Sequence, residues 1–142
     1  MISRFGVGIA EFLIVGIDQN GAHIFRVHYE GVQGGNWLEW CTKLGFRAIG
    51  TGQIHASITL ATSEQHRMEN VDTTLFNVYC AKKNAELAPG VGVTEDIGII
   101  SSNGIVFIDG LQLAELHKER KAFTIRRRLK NEKKNSEETA IK

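Results

Sequence analysis

The chain is poor in the residues that most directly announce a site. Its 142 residues include two cysteines and one proline. Cys41 and Cys80 fall on different predicted elements with no Cys-x-x-Cys spacing. Neither a disulfide framework nor a zinc site is indicated, and a reducing cytoplasm is the expected setting. The histidines (His23, His28, His55, His66 and His117) form no His-x-x-x-His pair and no His-Glu-x-x-His, so no metal or other cofactor is expected. No apolar run approaches the length of a membrane span, and no membrane partner is expected. The opening "MISRFGVGIAEFLIVG" is interrupted by Glu11 and followed by no small-residue cleavage site, unlike a secretory signal. Internal repeats and low-complexity linkers are absent.

What is there is one domain's worth of ordinary globular composition, 42% hydrophobic and 23% charged, long enough to bury a core. The formal charge of +1 hides an asymmetry. From Lys118 onward ten Lys/Arg face four Asp/Glu, a balance of +6; residues 1–117 carry seven basic and twelve acidic residues, a balance of −5. The basic stretch is interrupted by Glu132, Glu137 and Glu138, and no aromatic follows Phe123 to stack a base. It reads as a solvated, partly disordered helix or tail over 118–142, and nucleic acid is not the expected partner.

Periodicity places the elements. "EFLIVGID" and "AHIFRVHY" flank Gln19-Asn20-Gly21, a turn that needs positive φ, so strand, hairpin and strand are expected. Phe12 to Ile17 is apolar on both faces, as in a covered sheet. "WLEWCTKL" is ambiguous between helix and strand, and its Trp37 and Trp40, three apart, read as a core pair. A third strand is expected over Gly45–Gly50. A helix then runs from Gln53 to about His66 with Ile54, Ile58 and Ala61 on one stripe. Asn70 or Asp72 caps a second helix, which Pro89-Gly90 ends. Strands from Asp96 and to Asp109 flank a second Asn-Gly turn, and a helix follows from Gly110. The order is strand-strand-strand-helix-helix-strand-strand-helix, an α+β class.

Spacing alone assigns little chemistry. Gly50-Thr51-Gly52 at the strand-to-helix turn lacks the lysine of a P-loop and the third glycine of a dinucleotide motif. It is also shorter than the Gly-x-Ser-x-Gly of a nucleophile elbow, although His55 lies four residues on. Glu95-Asp96 reads as a turn in which Asp96 bonds its own loop amides.

Taken in order, "EFLIVGIDQNGAHIFRV", "GFRAIGTGQIHASITL" and "VYCAKKNAELAPGVGVTEDIGII" resemble the C-terminal half of proteasome-type N-terminal-nucleophile hydrolases. The likeness is nearest to the proteasome β subunit and its bacterial relatives, and it covers Glu11 to about Asp109. It implies part of a four-layer αββα sandwich, about five strands and three helices over residues 1–117, in a fold whose members stack into rings. In that family a Thr at the mature N-terminus attacks a peptide carbonyl with its own amine as base. The resemblance makes Thr51, between Gly50 and Gly52, the residue that hydrogen-bonds the nucleophile's amine. It puts the family's helix-end Asp near Asn84 or Glu86, and its partner Ser near Leu87, which cannot serve.

The family's nucleophilic segment has no counterpart here. Removing Met1 exposes Ile2, which carries no nucleophile. The chain is therefore expected to be catalytically incompetent by itself. A longer chain, a partner or a second copy would supply the missing half, with peptide or unfolded protein as substrate once complete. The rival expectation is a non-enzymatic assembly module that pairs or forms rings through the same fold. The exposed sheet faces of half a sandwich would favour either outcome.

Overall fold

The computed structural model describes residues 10–30 and 35–140, with side chains to residue 133. The opening segment 1–9 and the glycine-rich connection at 31–34 lie outside the described residues. The architecture is mixed α+β: a three-stranded antiparallel sheet, a two-stranded antiparallel sheet and three helices.

The first hairpin forms where the Asn-Gly signal places it. β1 (Ala10–Asp18) and β2 (Gly21–Tyr29) pair antiparallel, with Asp18 opposite Gly21. Gly21 takes φ +110, a conformation that a side chain would strain. Asp18 Oδ1 lies 2.9 Å from His23 Nε2 and accepts from Asn20 N at 2.7 Å; the imidazole contact and then that amide lower its pKa.

The third strand is not where the sequence suggests. β3 (Asn36–Trp40) is formed by the ambiguous "NWLEW" and pairs antiparallel with β2, giving the order β1-β2-β3. Cross-strand pairing decides the conformation, with Phe25 opposite Trp40 and His28 opposite Trp37. Trp37 and Trp40 consequently project from opposite faces. Trp40 is 62% exposed, so the two do not form a core pair. The strand expected over Gly45–Gly50 is irregular instead. Gly45 has φ +84, and a Cβ there would sit 2.3 Å from the Arg67 backbone nitrogen, which makes it a chain crossing rather than a strand position.

α1 (Gln53–Thr62) ends a turn earlier than the apolar pattern suggests. Glu64 turns left-handed at φ 55, and Gln65 N and Glu64 N reach back to Leu60 O and Ala61 O at 3.0 and 3.1 Å, a Schellman stop. α2 (Val71–Ala85) starts at Asn70, whose side chain accepts from Thr73 N at 2.9 Å. The connection between them is pinned by buried polar groups. Asn77 Nδ2 donates to Gln65 Oε1 at 2.9 Å, and Gln65 Nε2 donates to Thr74 Oγ1 at 3.0 Å. Tyr79, Leu60, Ala81 and Ala85 are buried in this helix pair.

β4 (Gly98–Ser101) and β5 (Gly104–Phe107) close on the second Asn-Gly turn, with Gly104 at φ +117. α3 (Gly110–Ala140) is capped by Asp109. Its Oδ1 accepts from Leu111 N and Gln112 N, while Gln112 Oε1 accepts from Asp109 N. The chain divides into two compact units, the first ending at Val106 and the second, containing α3, beginning at Phe107.

The two faces of the three-stranded sheet differ. One carries Leu13, Val15, Ile17 and Ile24 toward a cleft also lined by α1 and α2. Farther along the same face runs an ion-pair chain. Arg26 bonds Glu11 and, at 3.2 Å, Glu39, whose Oε2 also accepts from Arg47 Nη2 at 2.7 Å. The opposite face carries Phe12, Ile14, Phe25, Leu38 and Trp40, with Phe12, Ile14, Leu38 and Trp40 all more than half exposed. The covered sheet expected from the apolar run of β1 is thus open on this face among the described residues.

Candidate functional site

The Gly50-Thr51-Gly52 turn is built by two glycines with different tasks. Gly50 takes φ +84 with nothing within 4 Å of the position a Cβ would occupy, so its role is conformational. Gly52 serves close approach. A Cβ there would lie 2.7 Å from Ala85 Cβ, 3.1 Å from Ala85 O and 3.2 Å from Val91 Cγ2. The start of α1 is thereby pressed against the end of α2. Gln53 N bonds Gly50 O at 3.0 Å, closing the turn, and no side chain caps the helix.

Thr51 is exposed between the two glycines and lines the mouth of a cleft of about 780 Å³. The walls are largely apolar: Leu13, Val15 and Ile24 from the sheet, Leu60 from α1, Val78 and Ala85 from α2. Lys82 and Arg47 are in its lining as well. The stripe of Ile54, Ile58 and Ala61 does not line the cleft, Ile54 being 66% exposed, while Ala56 and Leu60 of α1 do. His55 is exposed and does not line the cleft, so the structure does not join it to Thr51 there.

The other two candidates are engaged elsewhere. Asn84 donates to Thr59 Oγ1 at 2.9 Å, tying α2 to α1. Glu86 accepts from Lys82 at 2.8 Å and Lys83 at 3.0 Å. Neither lines the cleft with Thr51; from this part of α2, Ala81, Lys82 and Ala85 do.

The feature that spacing did not reveal is the tie between the end of α2 and the loop before β4. Lys82 Nζ donates to Gly92 O at 2.7 Å, and Lys83 Nζ to Val93 O at 3.2 Å and Glu95 Oε2 at 2.7 Å. Burial opposes the charge on both Glu86 and Lys83. The lysine bonds to Glu86 outweigh it and hold that carboxyl below its ordinary value, and the bonds to Glu95 and Glu86 hold the Lys83 ammonium above its own. Glu95, rather than Asp96, is the member of the acidic pair with this structural role. The four-residue spacing of Lys82 and Glu86 was the signal available in the sequence.

Chemically, the arrangement presents the exposed hydroxyl of Thr51 in the lining of a largely apolar cleft, while the Lys82 ammonium in the same lining is engaged by Glu86 and Gly92 O. Thr51 has no base bonded to it among the described residues, and its nitrogen is in a peptide bond. It can donate or accept a hydrogen bond but cannot serve as its own base. Among the described residues no group of three His, Cys, Asp or Glu is gathered for a metal ion, and no helix is long and apolar enough to cross a membrane. No protein-family model, no curated protein and no solved structure matches the chain.

Proposed function

We propose that the stretch from Glu11 to about Asp109 belongs to the C-terminal half of a proteasome-like N-terminal-nucleophile hydrolase subunit, contributing to a threonine-type peptidase rather than cleaving peptides by itself. The observation that carries this reading is a sheet with a helix-lined cleft on one face and an open apolar face on the other, as expected of half an αββα sandwich. The exposed Thr51 between two glycines, in the lining of that cleft, supports it: in this reading its hydroxyl bonds the amine of a nucleophile supplied from outside these residues. The substrate class is peptide or unfolded protein.

The energetics favour a cover for the open face. Phe12, Ile14, Leu38 and Trp40 are more than half exposed, and covering each is worth about 1 kcal/mol. The sum of about 4 kcal/mol is roughly a thousandfold in an association constant.

The test is a fluorogenic-peptide assay on the purified chain and on the complex recovered from its native cell. The chain alone is expected to be inert. The native complex is expected to turn over substrate, to be blocked by a threonine-directed covalent inhibitor, and to slow when Thr51 is replaced by Ala. Inhibitor-sensitive turnover indifferent to Thr51→Ala would contradict the role given to that residue.

The same open face supports a second reading, a non-enzymatic assembly module. It predicts discrete oligomers that are insensitive to Thr51→Ala and are dispersed by the triple substitution of Phe12, Leu38 and Trp40 to Ser. Monomers alone at micromolar concentration would count against it.

A further inference from the structure

We propose that α3 is a docking helix for anionic lipid surfaces, an interaction separate from the peptidase reading. Residues 118–133 carry eight Lys/Arg and two Glu, a balance of +6 on a regular helix. On that helix Leu111, Ile125 and Leu129 are 83%, 57% and 56% exposed. At 3.6 residues per turn they fall within an arc of about 40°, so they form one apolar line. Lys121 and Arg128 lie on one flank of the line and Arg126 and Lys133 on the other, each about 60–80° away. All four are exposed. Lys118 falls on the line itself, but its ammonium is bonded to Glu115 Oε2 at 3.2 Å, so the four flanking cations rather than Lys118 carry the headgroup contact.

The exposed apolar line decides between polyanions. Phosphates of a nucleic acid would be satisfied by the cations alone and gain nothing from Ile125 and Leu129. A lipid surface uses both, the cations at the headgroups and the apolar line below them. The helix need not span anything; it lies in the surface plane.

The experiment uses the full chain with large unilamellar vesicles of phosphatidylcholine, with and without 30% phosphatidylserine, read by co-sedimentation. Binding to the serine-containing vesicles only, and its weakening at least tenfold when salt rises from 0.1 to 0.5 M, are expected. Two substitution sets separate the contributions. Arg126→Gln with Arg128→Gln should weaken binding about 25-fold, at about fivefold for each cation near an anionic surface. Ile125→Gln with Leu129→Gln keeps every charge and a good helix former at both sites, and should weaken binding at least tenfold. Circular dichroism shows whether the helix persists in each. Absence of binding to anionic vesicles would overturn the proposal, as would unchanged binding of the Ile125/Leu129 variant. Tighter binding to a nucleic-acid duplex, indifferent to that variant, would overturn it in favour of a nucleic-acid partner.

Discussion

Gly52→Ala tests how the candidate site is held together. The added Cβ would sit 2.7 Å from Ala85 Cβ and 3.1 Å from Ala85 O. Neither atom is the end of a flexible side chain, so the strain must be relieved by moving α1 against α2. Overpacking of this kind costs about 1–3 kcal/mol. Loss of glycine freedom in the unfolded chain returns roughly 0.4–1 kcal/mol, because φ −85 at Gly52 is open to alanine. A net loss of about 1–2 kcal/mol is expected, read by urea denaturation followed by circular dichroism. The double variant with Ala85→Gly removes the closest contact but leaves the carbonyl contact. It should therefore show partial rescue, with a coupling of about 1 kcal/mol beyond additivity. Gly50→Ala, strained by its positive φ instead of by a neighbour, should cost about 1–2 kcal/mol and gain nothing from Ala85→Gly. A Gly52→Ala chain as stable as the parent, or additive effects in the double variant, would refute the close-approach reasoning.

Asn70→Ala should destabilise by about 1 kcal/mol through loss of the bond from Thr73 N, while Asn70→Asp should be nearly neutral; thermal melts of both variants check this. The Lys–Glu tie at the end of α2 sets two pH windows. Glu86 titrates lower folded than unfolded, so its stabilisation is present above its ordinary 4.5 and lost as pH falls through the depressed folded value. Lys83 titrates higher folded than unfolded, so its stabilisation is full below its ordinary 10.5 and lost as pH rises through the raised folded value. Urea midpoints across pH should show that Glu86→Gln flattens the acid limb and Lys83→Met the alkaline one, and unchanged limbs would contradict the tie.

The parts of the fold legible in the sequence were those fixed by neighbours along the chain. Asn20-Gly21 and Asn103-Gly104 make their turns because the glycine alone satisfies the local φ. Asn70 caps α2 through an amide three residues away. What failed depended on distant partners. Trp37 and Trp40 at a spacing of three resemble a helical face, yet pairing with His28 and Phe25 across the sheet makes them strand residues. Gly45 looked like the start of a strand because nothing local reveals that Arg67 crosses there. The stripe of α1 was visible as apolar, but periodicity does not say which side a neighbour covers, and Ala56 and Leu60 take the cleft side. At the candidate site, Thr51 stood out through its glycines, whereas Asn84 and Glu86 were placed by resemblance and bond Thr59 and the lysines instead.

The central claim is that this chain is half of a threonine-type hydrolase fold. Its most direct test is the intact mass and N-terminal residue of the native complex that contains this sequence. The account predicts a polypeptide in that complex, either a longer form of this chain or a partner, that begins with a processed Thr. A complex in which no polypeptide begins with Thr would contradict it and leave assembly as the function of the fold.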